Sequence, residues 1–178
     1  MIWVMQMDKV KELPKRKHLR LDNYDYSSAG AYFVTICTQN RQCVLSRIVG
    51  RGLAPAETTE IEHTSFGEIA EKQLFLLEDR YPYLAVDKYV IMPNHIHAIM
   101  ILSGKAAGAS PRPTIMDIVC AYKSLTTREC KKNGYNEKLF QTSFHEHIIR
   151  GREDYEEITK YIYENPIRWY YDELYTEE

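Results

Sequence analysis

Residues 95–102 read His-Ile-His-Ala-Ile-Met-Ile-Leu, and no other segment restricts the fold as much. Side chains alternate across a strand, so a strand apolar at both sets of positions has to be covered above and below. This octet therefore belongs at the centre of a sheet. The same alternation puts His95 and His97 on one face, side by side, and Ile96 on the other. Pro93-Asn94 just before it is a turn pair, and Leu84–Met92 before that reads as a strand.

The remaining elements follow from local pattern. Ala31–Thr38 (AYFVTICT) is rich in aromatic and β-branched residues and reads as a strand. Residues 43–48 are expected to form a hairpin with it through the polar QNRQ, and 49–58 a loop carrying Gly50, Gly52 and Pro55. Ser65–Arg80 reads as a helix with Ile69, Gln73, Leu76 and Leu77 on its inner face and Leu74 beside it, and Ser65 with Glu68 as a capping box. Residues 103–113 form a loop. Thr114–Lys132 is a second helix, with Ile115, Ile118, Val119, Tyr122 and Leu125 inward. Ser143–Arg150 is a short strand, and Glu153–Glu164 a last helix, ended by Asn165 before Pro166. This order predicts an α+β domain: a ferredoxin-like antiparallel sheet with helices on one face, plus a C-terminal helix that reaches back to the sheet.

With 178 residues the chain is long enough for one domain with a substantial core. We expect a basic arm over 1–26 and one folded domain over 27–178. No apolar run approaches the roughly 20 residues of a membrane span, and Met1–Met7 lacks the basic start and cleavage site of a secretory signal. None of the four cysteines forms a C-x-x-C pair, so a reduced, cytoplasmic chain is expected, with Cys37 and Cys120 packed in apolar segments. The net charge of −2 speaks against bulk charge-driven binding of nucleic acid. Charge is uneven, however: Asp8–Arg20 carries six bases against two acids, while Asp172–Glu178 carries four acids and no base. The basic stretch is either a phosphate-contacting arm or a solvated one.

Spacing alone leaves the chemistry open. His95 and His97 could hold one divalent metal or be ordinary core histidines. His145 and His147 flank Glu146 on another expected strand and form a second candidate pair, or part of a half-wet strand. Tyr161 and Asn165 share a helix face at i, i+4. Tyr163 lies about 200° around that helix from Tyr161, so only one of the two can face the histidines.

Tyr89–Leu102 (YVIMPNHIHAIMIL) resembles the signature of the HUH superfamily of single-strand DNA endonucleases. More narrowly, the chain resembles single-tyrosine insertion-sequence transposases and the REP-associated tyrosine transposases. Arg20–Arg41 resembles their first strand and its lead-in, Ala121–Arg128 (AYKSLTTR) their middle helix, and Leu139–Trp169 their closing segment. The resemblance runs through nearly the whole chain in order. It implies metal-binding His95 and His97, a nucleophile at Tyr161 (the first tyrosine of YIYENP), and a third metal-side residue at Asn165. It assigns no ligand to His145 or His147. The pattern departs at Phe140, Thr142 and His145, where the family usually carries Trp, Arg and an aromatic residue.

What the resemblance implies is metal-dependent nicking and rejoining of single-stranded or hairpin DNA through a 5′-phosphotyrosine. The implied metal is Mg2+ or Mn2+, with a homodimer as one option for the assembly. Lys15, Arg16, Lys17 and Arg20, with Lys123 and Arg128 on the middle helix, are candidate phosphate contacts; Tyr24, Tyr26 or Trp169 are candidates for stacking on unpaired bases. One alternative is a domesticated DNA-binding protein of the same fold that no longer cuts. Another is an unrelated metal hydrolase with Asp87 or Glu146 near a histidine pair.

Overall fold

The computed structural model describes residues 24–49, 59–104 and 112–176. Within them the chain runs β1 (Gly30–Cys37), β2 (Ser46–Val49), β3 (Glu60–His63), α1 (Ser65–Arg80), β4 (Leu84–Ile91), β5 (His95–Leu102), α2 (Ile115–Lys132), β6 (His145–Ile149) and α3 (Arg152–Glu164), with short 3-10 turns at Gln39–Arg41 and Trp169–Tyr171. The main sheet has the order β4-β5-β1-β6 with every pair antiparallel. This is the ferredoxin-like arrangement, with the histidine strand β5 in an interior position as its two-sided apolar pattern demands.

One face of the sheet carries Tyr32, Val34 and Ile36 from β1 and Ile96, Ala98, Met100 and Leu102 from β5, packed against α1 and α2. The other face carries Ile99 with Val90 and Met92, and α3 covers it through Tyr155, Ile158 and Ile162. Their spacing of three and four residues is a helix stripe laid on a sheet. Gly151 caps α3 at φ 90°, a backbone angle that a side chain would strain. At the edge of the sheet, the register of β4 shifts between Val86 and Lys88. Asp87, at that irregularity, accepts a hydrogen bond from the Tyr155 hydroxyl of α3.

Several expectations are corrected. β2 pairs with β3 rather than with β1. Leu77 is buried in the inner face of α1 as expected, but its companions there are Gly67, Ala70 and Leu74 rather than Ile69 and Gln73, and Leu76 is exposed. Thr64, not Ser65, caps α1, its hydroxyl accepting from the Gly67 N–H at 3.1 Å. Leu125 of α2 is only half-buried, while Thr126 and Cys130 are fully inside. Cys120 is exposed. Asn165 keeps helical angles (φ −55°, ψ −45°) although Pro166 follows it, and its N–H still bonds the Tyr161 carbonyl. α3 nevertheless ends at Glu164 as expected, and a single further turn follows, closed by Arg168 N–H on the Glu164 carbonyl.

Candidate metal and nucleophile site

His97 stands opposite Thr35 of β1 and Val90 of β4, and His95 opposite Cys37. Cross-strand partners share a face, so both imidazoles rise from the α3 side of the sheet. Both are buried, with ring centroids 4.4 Å apart. Each has its inner nitrogen held. The Nδ1 of His97 lies 2.9 Å from the Thr35 hydroxyl, and the Nδ1 of His95 lies 2.8 Å from the Asn94 Oδ1.

The Asn94 amide fixes more than a distance. Its Nδ2 donates to the Leu174 carbonyl at 2.7 Å and the Arg41 carbonyl at 3.3 Å, groups that only accept. Its oxygen must therefore face His95, whose Nδ1 must carry the proton. The lone pair is left on Nε2. Both Nε2 atoms, and the Oδ1 of Asn165, are buried with no hydrogen-bond partner. Buried polar atoms are normally satisfied. Orphaned ring nitrogens and an orphaned amide oxygen on neighbouring side chains fit a bound cation, and partners on the far ring nitrogens are what metal-ligating histidines use.

Asp172 is the residue that sequence reasoning missed. It was one acid in a tail; here the chain folds back after α3 and brings its carboxylate inside. Ligand atoms of His95, His97 and Asp172 all lie within 4.8 Å of one another. Its Oδ2 accepts from the Asn165 amide at 2.7 Å and sits 3.5 Å from the Tyr161 hydroxyl. Tyr161 packs edge-on to His97 at 5.1 Å and to Phe33 at 6.1 Å. A cavity of about 910 Å³ opens over the group, lined by Phe33, Thr35, His97, Tyr161, Asn165 and Asp172 among others.

Burial sets the protonation states. It pushes His95 down to about 4, the Asp172 carboxylate offsetting part of the shift, and pushes His97 well below its usual range with His95 adding to the effect. Both imidazoles are thus neutral at neutral pH, the form that binds metals. Burial and then the nearby Asp172 charge push the Tyr161 phenol up to about 12.

The other candidates are sorted by position. His145 faces the same side as His97 but lies two strands away, on the order of 10 Å. His147 is exposed and pairs with Asp154 at 2.9 Å. Glu146 points to the opposite face, and Asp87 is engaged with Tyr155 and Lys88, so neither acid lines the cavity. Tyr163 is exposed, lies near Lys88 and is outside the cavity. Lys123 donates to the Thr142 and Ser143 carbonyls at 2.9 and 3.4 Å, and Arg128 is exposed on α2; neither lines the cavity. Lys15, Arg16, Lys17 and Arg20 lie outside the described residues. Of the stacking candidates, Tyr24 and Tyr26 pack against the core and Trp169 is buried against His95. Tyr171, which was not among them, is exposed at the cavity.

No protein-family model matches the chain. An uncharacterized protein of Haemophilus influenzae is 30% identical over 177 residues, spanning 91% of this chain and 94% of the relative. A second protein of that organism, provisionally named a REP-associated tyrosine transposase, is 26% identical over 162 residues, spanning 86% of this chain and 81% of the relative. Among solved structures, a REP-associated tyrosine transposase bound to a REP hairpin has a TM-score of 0.59 at 21% identity, covering 84% of this chain and 73% of that one. The last likeness concerns the fold.

Proposed function

Because this chain is a distant relative of the REP-associated tyrosine transposases, we propose that it nicks and rejoins single-stranded or hairpin DNA, with Tyr161 as nucleophile and a divalent metal at His95, His97 and Asn165. The observation that carries this reading is the set of buried, partnerless Nε2 and Oδ1 atoms on those three side chains, with the Tyr161 ring against His97. Buried polar atoms are usually satisfied, and one cation would satisfy all three together.

In the proposed reaction the Tyr161 Oη attacks a backbone phosphorus. An O–P bond to tyrosine forms, the P–O3′ bond breaks, the phenol gives up its proton, and the departing O3′ takes one up. The chain then holds the 5′ side as a phosphotyrosine, and a 3′-OH from another end reverses the step with no further energy source. A divalent ion, Mg2+ or Mn2+, would neutralise charge on the phosphate and orient its oxygens. Thr35 and Asn94 orient the imidazoles, Phe33 and Trp169 exclude water around them, and α3 presents the phenol from the same face. A phenol at about 12 is a poor nucleophile without a cation close by, which ties the tyrosine to the histidines.

Incubation of the protein with an end-labelled hairpin carrying single-stranded flanks tests the proposal. Label should become covalently attached to protein with Mn2+ and not with EDTA. Binding without attachment in Mn2+ would instead support a domesticated DNA-binding protein.

A further inference from the structure

The segment after α3 reaches into the centre of the site, at two separate points. Asp172 faces the two imidazoles, and Leu174 with Thr176 faces Asn94 behind them. We propose that Asp172–Thr176 completes the metal centre: the Asp172 carboxylate is a ligand beside His95 and His97, and the Leu174 carbonyl with the Thr176 hydroxyl sets the His95 tautomer through Asn94. This rests on the reading that the two histidines hold a divalent ion.

The Asp172 carboxylate is already fixed in place. Its Oδ1 accepts from the Leu174 N–H at 2.6 Å and its Oδ2 from the Asn165 amide at 2.7 Å. Each oxygen keeps a lone pair for a cation. Charge supports the same assignment. Two neutral imidazoles and an amide oxygen would leave a buried dication uncompensated, which is costly, whereas one carboxylate halves its net charge. The Asn94 amide, fully buried, reaches both the Leu174 carbonyl and the Thr176 hydroxyl, at 2.7 and 3.1 Å. Its oxygen then has one place to point, at His95 Nδ1. The segment is held from outside as well, with the Thr176 hydroxyl donating to the Arg41 carbonyl at 2.9 Å and the Arg41 guanidinium donating to the Glu173 carbonyl at 2.9 Å.

Calorimetric titration of Mn2+ into the full-length protein without DNA tests the ligand. Asp172→Asn should weaken binding at least tenfold, while Glu173→Gln, which neutralises the adjacent acid, should stay within about twofold of wild type. Equal weakening by both would mean bulk charge rather than ligation and would overturn the assignment. If His97→Ala loses Mn2+ but Asp172→Asn binds like wild type, Asp172 is no ligand while the histidine reading stands. If wild type takes up no Mn2+, or His97→Ala binds as well as wild type, both readings fall. Should Asp172→Asn not fold, Mn2+ ENDOR spectra of wild-type protein carrying 13C-labelled aspartate decide the matter, and absence of a strongly coupled carboxylate carbon would overturn the proposal. For the second role, long-range 1H–15N spectra of the metal-free protein should show His95 as a single Nδ1–H tautomer. An Nε2–H form, or a mixture, contradicts it.

Discussion

His95 and Tyr161 are held in states they would not adopt in water, and each state has a measurable consequence. His95 ionises near 6.5 in an unfolded chain and near 4 in the folded one. Above pH 6.5 neither form is protonated and the residue contributes nothing to pH dependence. Between 6.5 and 4 only the unfolded chain takes the proton, so metal-free protein should lose stability as pH falls, by up to about 1.4 kcal/mol per pH unit from this residue. Urea unfolding at pH 7, 6 and 5 should show a shallower decline for His95→Asn; parallel declines would contradict the burial account. For Tyr161 the expected result concerns its neighbour in sequence. Tyr163→Phe should leave covalent attachment of DNA intact, while Tyr161→Phe should abolish it with hairpin affinity within about twofold. The shared face of Tyr161 and Asn165 was legible in the sequence because i, i+4 geometry is local. The place of Asp172 was not, since it depends on a chain reversal after Pro166 that no local pattern announces. Thr35 and Asn94 were hidden for a related reason: one looked like any strand threonine and the other like a turn residue.

Among elements, β5 is the most legible in the sequence, because an octet apolar on both faces has few alternatives. The helix α1 is placed correctly, but only part of its inner face is. Leu76 is apolar and yet exposed, and it draws the expected stripe towards itself. The pairing of β2 was misjudged because its partner β3, Glu-Ile-Glu-His, offers a single apolar residue. Gly67 shows how tightly the start of α1 is seated against the chain before β2. A Cβ there would stand 1.9 Å from the Leu45 backbone oxygen, and that oxygen cannot swing aside as a side chain would. Gly67→Ala should therefore destabilise the protein by about 3 kcal/mol, read from the denaturant midpoint. A loss under about 0.5 kcal/mol would mean that the helix start shifts freely. The pairing of Tyr155 with Asp87 at the β4 irregularity, together with the Tyr155, Ile158 and Ile162 stripe, holds α3 where Tyr161 can reach the histidines of the same chain.

At the scale of the whole molecule, charge decides how a polyanion could be taken up. The net charge is −2, and the cavity is lined by Glu157, Glu164, Asp172 and Glu173 against Lys160 and Arg168. Glu164 further engages both bases, at 3.7 and 2.9 Å. DNA entering this cavity needs cations from elsewhere. With Tyr161→Phe protein, which cannot attach covalently, hairpin affinity should rise at least tenfold when Mn2+ replaces EDTA; equal affinity would mean that DNA binds away from the cavity. If the basic stretch supplies the remaining charge, replacing Lys15, Arg16, Lys17 and Arg20 by glutamine should weaken binding and flatten its salt dependence, by about 0.7 in slope for each lost contact to single-stranded phosphate. An unchanged slope would leave that stretch merely solvated. Among the described residues, no helix is long and apolar enough to cross a membrane. As the proposed nucleophile, the Tyr161 phenol, placed by α3 over the histidine pair, forms a covalent bond to DNA. Mass spectrometry of protein reacted with a flanked hairpin and Mn2+ tests it most directly. A phosphodeoxynucleotide is expected on the peptide containing Tyr161, localised to that residue by fragmentation; a nucleotide mapped to Tyr163 or any other residue, or no adduct at all, would rule out Tyr161 as the nucleophile.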